Sequence, residues 1–238
     1  MPTTYSYTIY HLPNAYLGSV LLRRALADLP GVNLVRKPFL IPRSRGVLVA
    51  ELIGSKEPAV KGSYNREDCA RWSQRYDIPL VYPPPEAFHE RRLRWSQSKW
   101  EREELPSRAY YAALGSGHED ALDQTLFEAA WVAGLDVNEL ETIQWAATKA
   151  GLNWSKLSAK LESDEPDVSA RVALEEFDNG GCPGVPTFLL NRERYFGKDR
   201  VDWLVARCRQ QVVEQSRGGP VQDAPPQQRR RKGTSDET

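Results

Sequence analysis

The pattern of apolar residues at the start of the chain predicts a strand, a helix and a second strand. Residues 5–11 (YSYTIYH) are rich in aromatic and β-branched side chains, which favours an extended strand. From Pro13 onward the apolar residues recur at helical spacing as far as Pro30–Gly31, and residues 32–39 (VNLVRKPF) again favour a strand. Because a connection of this length joins parallel strands, this region is predicted to be a βαβ unit.

The middle of the chain, from about 45 to 178, is predicted to be mostly helical. Helices are expected at 65–76, with Asn65 as the N-cap, and at 86–104, 119–133, 138–150 and 168–179. Between the first two of these helices, three successive prolines predict that residues 78–85 form an extended loop.

The last third of the chain returns to the strand pattern. Within residues 180–200, the segments TFLLN and RYF predict a hairpin, and a final helix is expected over about 199–215. Residues 216–238 lack apolar side chains and are rich in Pro, Gly, Gln and Arg. Such a segment cannot bury enough surface to offset the entropy of ordering, so a disordered tail is predicted.

The charge balance argues against nucleic-acid and membrane partners. Lys plus Arg number 32 and Asp plus Glu number 32, so the net charge is zero. No overall field attracts the chain to nucleic acid or anionic lipid, and no nucleic-acid or membrane partner is expected. Apolar runs are shorter than the roughly 20 residues of a membrane span, and no signal peptide is recognised, so a cytoplasmic location is expected.

The three cysteines, Cys69, Cys182 and Cys208, are widely spaced and form no C-x-x-C pair. Their spacing fits neither a zinc site nor a dithiol redox centre, so no metal is expected and a dithiol oxidoreductase is nearly excluded. An odd number of separated thiols fits a reducing compartment.

Two short segments carry a family resemblance. Gly184–Phe188 (GVPTF), which enters a predicted strand, resembles the cis-proline loop of thioredoxin-fold proteins. Ten residues after Thr187, Gly197–Arg200 (GKDR) is similar to the G-[QS]-D-R segment of kappa-class glutathione transferases and 2-hydroxychromene-2-carboxylate isomerases. Other matches, in order along the chain, are KPFL at 37–40, GSKEP at 54–58 followed by Lys61, Asp68…Arg71-Trp72, and Phe127…Trp131…Asp136. Together the resemblance spans about residues 5–206.

The resemblance implies an α/β, thioredoxin-like fold with a large all-helical insertion domain. Residues 1–44 and 180–215 would form the thioredoxin-like domain and 45–179 the insertion, followed by the 216–238 tail. It also implies a homodimer, by analogy with the family.

The resemblance further implies that glutathione is the cofactor. Its cysteine would pair with the backbone at Val185–Pro186, and Lys61 would reach a carboxylate. Lys198 and Asp199, at the start of the last helix, would receive the γ-glutamyl end. The small, aromatic or conjugated substrate would lie in the helical region, where Trp72, Trp95 and Trp100 are candidates to line its pocket.

One position departs from the family. The segment S-P-Y-[SA]-[YW]-L-G is here LPNAYLG, so Leu12 occupies the place of the serine that donates to the glutathione sulfur. Three interpretations stay open: His11 or Asn14 replaces the donor, the helix N-terminus suffices alone, or the protein binds its ligand without catalysis. The predicted function is a glutathione-dependent isomerase or transferase. The alternative is a non-catalytic ligand-binding or interaction protein on the same scaffold.

Overall fold

The computed structural model describes residues 1–43, 56–84, 86, 87, 90, 91, 94 and 97–216, with the backbone alone for 56–59 and 61. The strands are β1 (Thr3–Thr8), β2 (Asn33–Pro38), β3 (Thr187–Leu190) and β4 (Glu193–Phe196). The helices are α1 (Pro13–Ala27), α2 (Lys56–Tyr76), α3 (Glu104–Ala112), α4 (Glu119–Trp131), α5 (Leu140–Lys149), α6 (Trp154–Leu161), α7 (Glu165–Asn179) and α8 (Val201–Ser216), the last preceded by a 3-10 turn, Lys198–Arg200.

The four strands form one sheet in the order β2-β1-β3-β4. β1 and β2 are parallel, with Thr3 opposite Asn33, and α1 connects them. β3 runs antiparallel to both β1 and β4. The predicted βαβ unit and the predicted hairpin are therefore confirmed, and together they form a thioredoxin-like sheet.

Helices cover both faces of this sheet. On one face α1 and α8 pack on β3, where Leu22, Phe188 and Leu204 are fully buried. On the other face α7 packs its Phe177 against Tyr7. The alternation of β-strand side chains separates the two sets, since Phe188 and Leu190 face α8 while Leu189, between them, packs on the α7 side.

A third core joins α1 to the helical region. Tyr10, Tyr16 and Leu17 are buried with Phe127 of α4, and the Trp131 indole N–H donates to the Tyr10 carbonyl at 2.8 Å. The start of α1 therefore lies where the sheet and the helical region meet. Whether the two regions are separate domains with boundaries at 44 and 180 stays a prediction, and α7, on the insertion side of that boundary, packs on the sheet.

Some local predictions are corrected. Asn65 is not an N-cap, because α2 begins nine residues earlier, at Lys56, and the side chain of Asn65 bonds to Asn14 instead. The helix predicted at 86–104 has ended by residue 98, although the described residues between 86 and 97 are helical. Helices α3 and α6 were not predicted. Helix α6 is short, with only Leu157 and Leu161 buried, and Asn153 caps it by accepting from the Lys156 N–H.

Two further comparisons concern the ends of elements. The extended segment at 78–84 is confirmed, and residue 85 lies outside the described residues. Ser216, placed in the predicted tail, is the last residue of α8, and the rest of that tail, 217–238, lies outside the described residues. No helix in the described part of the chain is long and apolar enough to cross a membrane.

Candidate active site

The Val185–Pro186 peptide bond is cis, as predicted from the GVPTF segment. The loop is fixed on both sides: the Thr187 hydroxyl donates to the Gly184 carbonyl at 2.5 Å, and the Gly197 N–H donates to the Pro186 carbonyl at 2.9 Å. The backbone of Val185 therefore lies just before β3, held beside the turn that begins α8.

The first helix approaches this loop closely at Gly18. A Cβ atom at this position would lie 3.0 Å from Cγ of Pro186 and 3.6 Å from the Cα of Lys198. The absent side chain lets three elements meet: α1, the cis-proline loop and the 3-10 turn. The family resemblance implied that the segments of Leu12, Pro186 and Asp199 meet, and the structure brings these three segments together.

Lys198 is the charged residue at the centre of this meeting point. Its side chain is only 7% exposed, and the ammonium donates to Asn14 Oδ1 and to Asp68 Oδ2, each at 2.6 Å. The ammonium also lies over the Trp72 ring, 5.2 Å from its centroid. A buried charge requires such partners, so Lys198 is fixed in one place against α1 and α2.

The amide of Asn14 has a defined orientation. Its Oδ1 accepts from Lys198 and from the Cys69 thiol at 3.3 Å, and its Nδ2 donates to Asn65 Oδ1 at 2.5 Å. Burial raises the pKa of the Cys69 thiol, although the Lys198 ammonium opposes that effect. Cys69 is therefore a protonated donor at neutral pH. These residues make a polar cluster, hereafter the Lys198 cluster, of Asn14, Asn65, Asp68, Cys69 and Lys198.

Asp199, the next residue, is half exposed. Its carboxylate pairs with Arg200 at 2.8 Å. Asp199 also borders an open cleft of about 290 Å³, which is lined by Trp72, Tyr76 and Lys198 among others. The rings of Trp72 and Tyr76 are stacked, with centroids 5.2 Å apart. Asp199 is thus more exposed than Lys198, although both side chains line this cleft.

His11 lies on the other side of the start of α1, in a second charged group. Its Nδ1 forms a very short ion pair with Glu103, and its Nε2 lies 3.5 Å from Asp136 Oδ1 and against the Asn138 amide. Glu103 is fully buried and also accepts the backbone N–H groups of Tyr10 at 2.9 Å and His11 at 3.1 Å. This group of His11, Glu103, Asp136 and Asn138 is hereafter the His11 cluster.

The two carboxylates determine the charge of His11. Burial alone would lower its pKa, but Glu103, together with Asp136, raises the pKa of His11 to about 9. The same contacts work in return on Asp136, because His11 holds its pKa below the ordinary value against the effect of burial. His11 is therefore an imidazolium at neutral pH, with both ring nitrogens directed at protein groups.

Leu12, between the two clusters, is the N-cap residue of α1 and makes no side-chain capping hydrogen bond. Pro13 has no N–H group, and the N–H groups of Ala15 and Tyr16 both donate to the Leu12 carbonyl, at 3.0 and 3.1 Å. The first turn therefore offers an anion fewer backbone donors than an ordinary helix N-terminus does.

The remaining predicted site residues are Lys61 and the candidate tryptophans of the substrate pocket. Lys61 lies in α2, but its side chain is outside the described residues, as is that of Trp95. Trp100 lies against Lys99 and Arg108, with the Arg108 guanidinium 5.0 Å from the ring centroid. Of the two candidate tryptophans that the structure describes, Trp72 is the one that lies beside Lys198.

Glu103 was not among the candidate site residues predicted from the sequence. Asp68 was recognised as part of a family segment, but no role in the site was predicted for it. Asp68 belongs to the D-x-x-R-W segment that carries the resemblance, so a signal existed. Glu103 has none: it follows Arg102 and precedes Glu104 in a charged stretch, and its left-handed backbone, with φ of 65°, is rare for a residue with a side chain. Only the fold brings it under the end of β1.

Comparison with known proteins agrees with this fold. A 2-hydroxychromene-2-carboxylate isomerase from Sphingobium xenophagum is 23% identical over 192 residues, covering 81% of this chain and 90% of the relative. Among solved structures, a 2-hydroxychromene-2-carboxylate isomerase superposes with a TM-score of 0.68 at 21% identity, covering 91% of this chain and 98% of the other.

A second solved structure extends the comparison. The cytosolic disulfide reductase DsbM from Pseudomonas aeruginosa, in its structure with GSH, superposes with a TM-score of 0.60 at 17% identity, covering 89% of this chain and 99% of the other. Residues 10–208 match the family model of the DsbA-like thioredoxin domain. Sequence, sheet topology and cis-proline loop lead to the same conclusion: the chain belongs to the DsbA-like thioredoxin family.

Proposed function

We propose that the protein is a glutathione-dependent isomerase that acts on a small, conjugated or aromatic substrate. The relative from Sphingobium xenophagum is named an isomerase, and the structural neighbour DsbM has a structure with GSH. The observation that carries the proposal is the meeting of α1, the cis-proline loop and the Lys198–Arg200 turn at Gly18. This meeting supports the binding of a thiol peptide along the loop, beside the start of α1.

In this proposal glutathione lies along the loop, with its cysteine paired to the Val185 backbone as an added strand would be. Asp199 is exposed enough to receive the α-ammonium of the γ-glutamyl end. Lys61 remains the candidate for a glutathione carboxylate, from the resemblance alone. The sulfur then lies near Leu12 and Asn14, where the first turn begins.

The proposed chemistry is addition and elimination. The thiolate forms a C–S bond to one carbon of a conjugated alkene, and the π electrons move to the conjugated carbonyl oxygen. The former double bond is then single and rotates. Breaking the C–S bond returns the electrons, regenerates the alkene in the other geometry and releases the thiolate, so no oxidant or reductant is consumed.

The first test titrates the full chain with glutathione and follows thiolate absorbance in the ultraviolet across pH. Binding with the thiol pKa below its free value supports an enzyme. A second step mixes the complex with 2-hydroxychromene-2-carboxylate, the substrate class named for the relatives, and measures isomerisation. Transfer of glutathione to an electrophile in place of isomerisation would indicate the transferase activity instead, and no binding would contradict the proposal.

The Asp199→Asn variant tests how glutathione is bound. Removing a half-exposed charge partner should cost about 0.5–1 kcal/mol, a two- to fivefold increase in the Kd for glutathione. Asp28→Asn, an exposed carboxylate at the opposite end of α1, is the matched control and should bind as the wild type does. Equal Kd values for both variants would remove Asp199 from the site.

One observation favours a second candidate function. Leu12 has no hydroxyl, and its N-cap position leaves the helix start without a side-chain donor. A protein that binds glutathione or a similar ligand without activating it would have this feature. Glutathione binding at an unchanged thiol pKa, with no turnover, would support this alternative.

A further inference from the structure

We propose that the Lys198 ammonium stabilises the thiolate of bound glutathione, in place of the hydroxyl that Leu12 lacks. The inference rests on the proposed glutathione function and deepens it. The resemblance places residue 198 at the helix start that receives the γ-glutamyl end and gives its side chain no role of its own. The proposal assigns a role to that side chain.

The course of this side chain is the first argument. Its Cα lies at the cis-proline loop, 3.6 Å from where a Cβ on Gly18 would be, next to the Gly197 N–H that donates to Pro186. Its ammonium ends on Asn14, in the first turn of α1. Lys198 therefore spans the two elements between which the glutathione cysteine is proposed to lie.

The number of donors is the second argument. An ammonium has three N–H donors, and the described residues provide hydrogen-bond acceptors for two of them, Asn14 Oδ1 and Asp68 Oδ2. The third is left for a ligand. Because Lys198 is held by two bonds and by the Trp72 ring, no side-chain ordering is required when an anion arrives.

The surrounding groups leave the ammonium charge available. Asp68 from α2 offsets it in part, but Asp68 is 27% exposed and so is partly screened by water. Cys69, also from α2, remains protonated because burial raises its pKa, and Tyr82 beside it is held neutral in the same way. Asn14 from α1 is uncharged, and the Asp199 carboxylate is paired with Arg200.

The other candidate donors are engaged in large part. His11 directs its ring nitrogens to Glu103 and Asp136. Asn14 uses one of its two Nδ2 N–H groups on Asn65 and carries no charge, and the N–H groups of Ala15 and Tyr16 donate to Leu12. The chain departs from the resembled family at two positions: leucine for serine at 12, and lysine for glutamine or serine at 198. The Lys198 ammonium bonds to Asn14, two residues after Leu12.

The experiment compares two variants whose effects should have opposite signs. Glutathione bound to the full chain is titrated with pH by thiolate absorbance, with the signal of the protein saturated with S-methylglutathione subtracted. Lys198→Met should raise the pKa of the bound thiol by about 1–3, the effect of an opposite charge at this range. Asp68→Asn should lower it, since the ammonium then loses its competing carboxylate.

Two further measurements separate this role from a structural one. S-methylglutathione has no thiol, so its Kd should change less than twofold in Lys198→Met, whereas glutathione affinity above the thiol pKa should fall about tenfold or more. Lys156→Met, an exposed lysine on α6, is the matched control and should leave both unchanged. Should Lys198→Met fail to fold, the double variant Lys198→Met/Asp68→Asn removes both charges together and should still raise the thiol pKa.

Each outcome decides the matter. A lowered thiol pKa in the wild type that persists in Lys198→Met overturns the inference and leaves the proposed function standing. Equal loss of glutathione and S-methylglutathione binding also overturns it, because Lys198 would then support the fold or bind another part of the peptide. Failure of the wild type to bind glutathione overturns both proposals at once.

Discussion

The His11 cluster and the Lys198 cluster flank the same turn of α1 and differ in what their charges face. In the first, an imidazolium lies between two carboxylates, and the fully buried Glu103 also takes two backbone N–H groups. In the second, an ammonium has one carboxylate and two neutral neighbours, an amide and an aromatic ring. A charged side chain near a candidate site is available for chemistry only when its protein partners do not neutralise it completely.

This difference bears on one of the predictions that the sequence leaves open. His11 was a candidate donor because its ordinary pKa suits thiol chemistry. Its geometry instead joins the end of β1 to the helical region, and we expect its main effect on stability. Lys198 was expected only as part of the helix start that receives the γ-glutamyl end. Its ammonium is now the group proposed to stabilise the thiolate.

The largest expected effect comes from breaking the His11 cluster. Glu103→Ala leaves an imidazolium and two backbone N–H groups without their acceptor, which should lower the free energy of unfolding by about 3–5 kcal/mol. Urea unfolding measures it. Glu141→Ala, an exposed glutamate on α5, should stay within about 0.5 kcal/mol of wild type. A similar, small cost for both variants would mean that the His11 cluster does not hold the structure together.

A smaller effect follows from pH. The pKa of His11 is about 9 in the folded protein and near 6.5 when exposed, so its contribution is full below about pH 6.5 and is lost as pH rises through 9. The charged His11 contributes about 3 kcal/mol to the free energy of unfolding. The free energy of unfolding, measured from about pH 6 to 9, should therefore fall by about this amount.

The buried cysteines also weaken the fold at high pH, because burial raises the pKa of Cys69 and Cys208. His11→Gln separates the two contributions, since it keeps the thiols and removes the imidazolium. The wild type minus the variant should show the slope between about pH 6.5 and 9. A constant difference across this range would mean that His11 is not charged in the folded state.

The smallest effect concerns Leu12, between the clusters. If glutathione is activated nearby, Leu12→Ser adds a hydroxyl donor and should raise the isomerisation rate about tenfold, equivalent to about 1.4 kcal/mol. Leu12→Ala removes the same apolar contacts without adding a donor and should give no gain. An equal rate in both variants would show that the sulfur lies elsewhere.

The strands predicted correctly are those set by local chemistry. Aromatic and β-branched runs mark β1 and β2, whereas the cis bond at Val185–Pro186 was expected from the family resemblance of the GVPTF segment. Helix starts were harder: Asn65 resembles a cap, but its partner is Asn14, 51 residues away. A capping residue and a residue that bonds across helices have the same composition, so the pattern alone does not distinguish them.

The candidate site shows the same limit. Residues that the family resemblance assigns to one site, such as Pro186 and Lys198, could be placed together before the structure was known. Glu103 could not, because it contacts Tyr10 across 93 positions and no periodicity relates the two. Nor could the charge of His11 be predicted, since it depends on carboxylates from two other segments.

The left-handed residue before α3 has a consequence for how this architecture could change. Glu103 belongs to the helical region, yet it completes the hydrogen bonding of a turn that the sheet region leaves open. A chimera that exchanged the helical region for one from a relative would retain a stable junction only if it brought an acid to this same spot. The two parts are therefore not freely interchangeable.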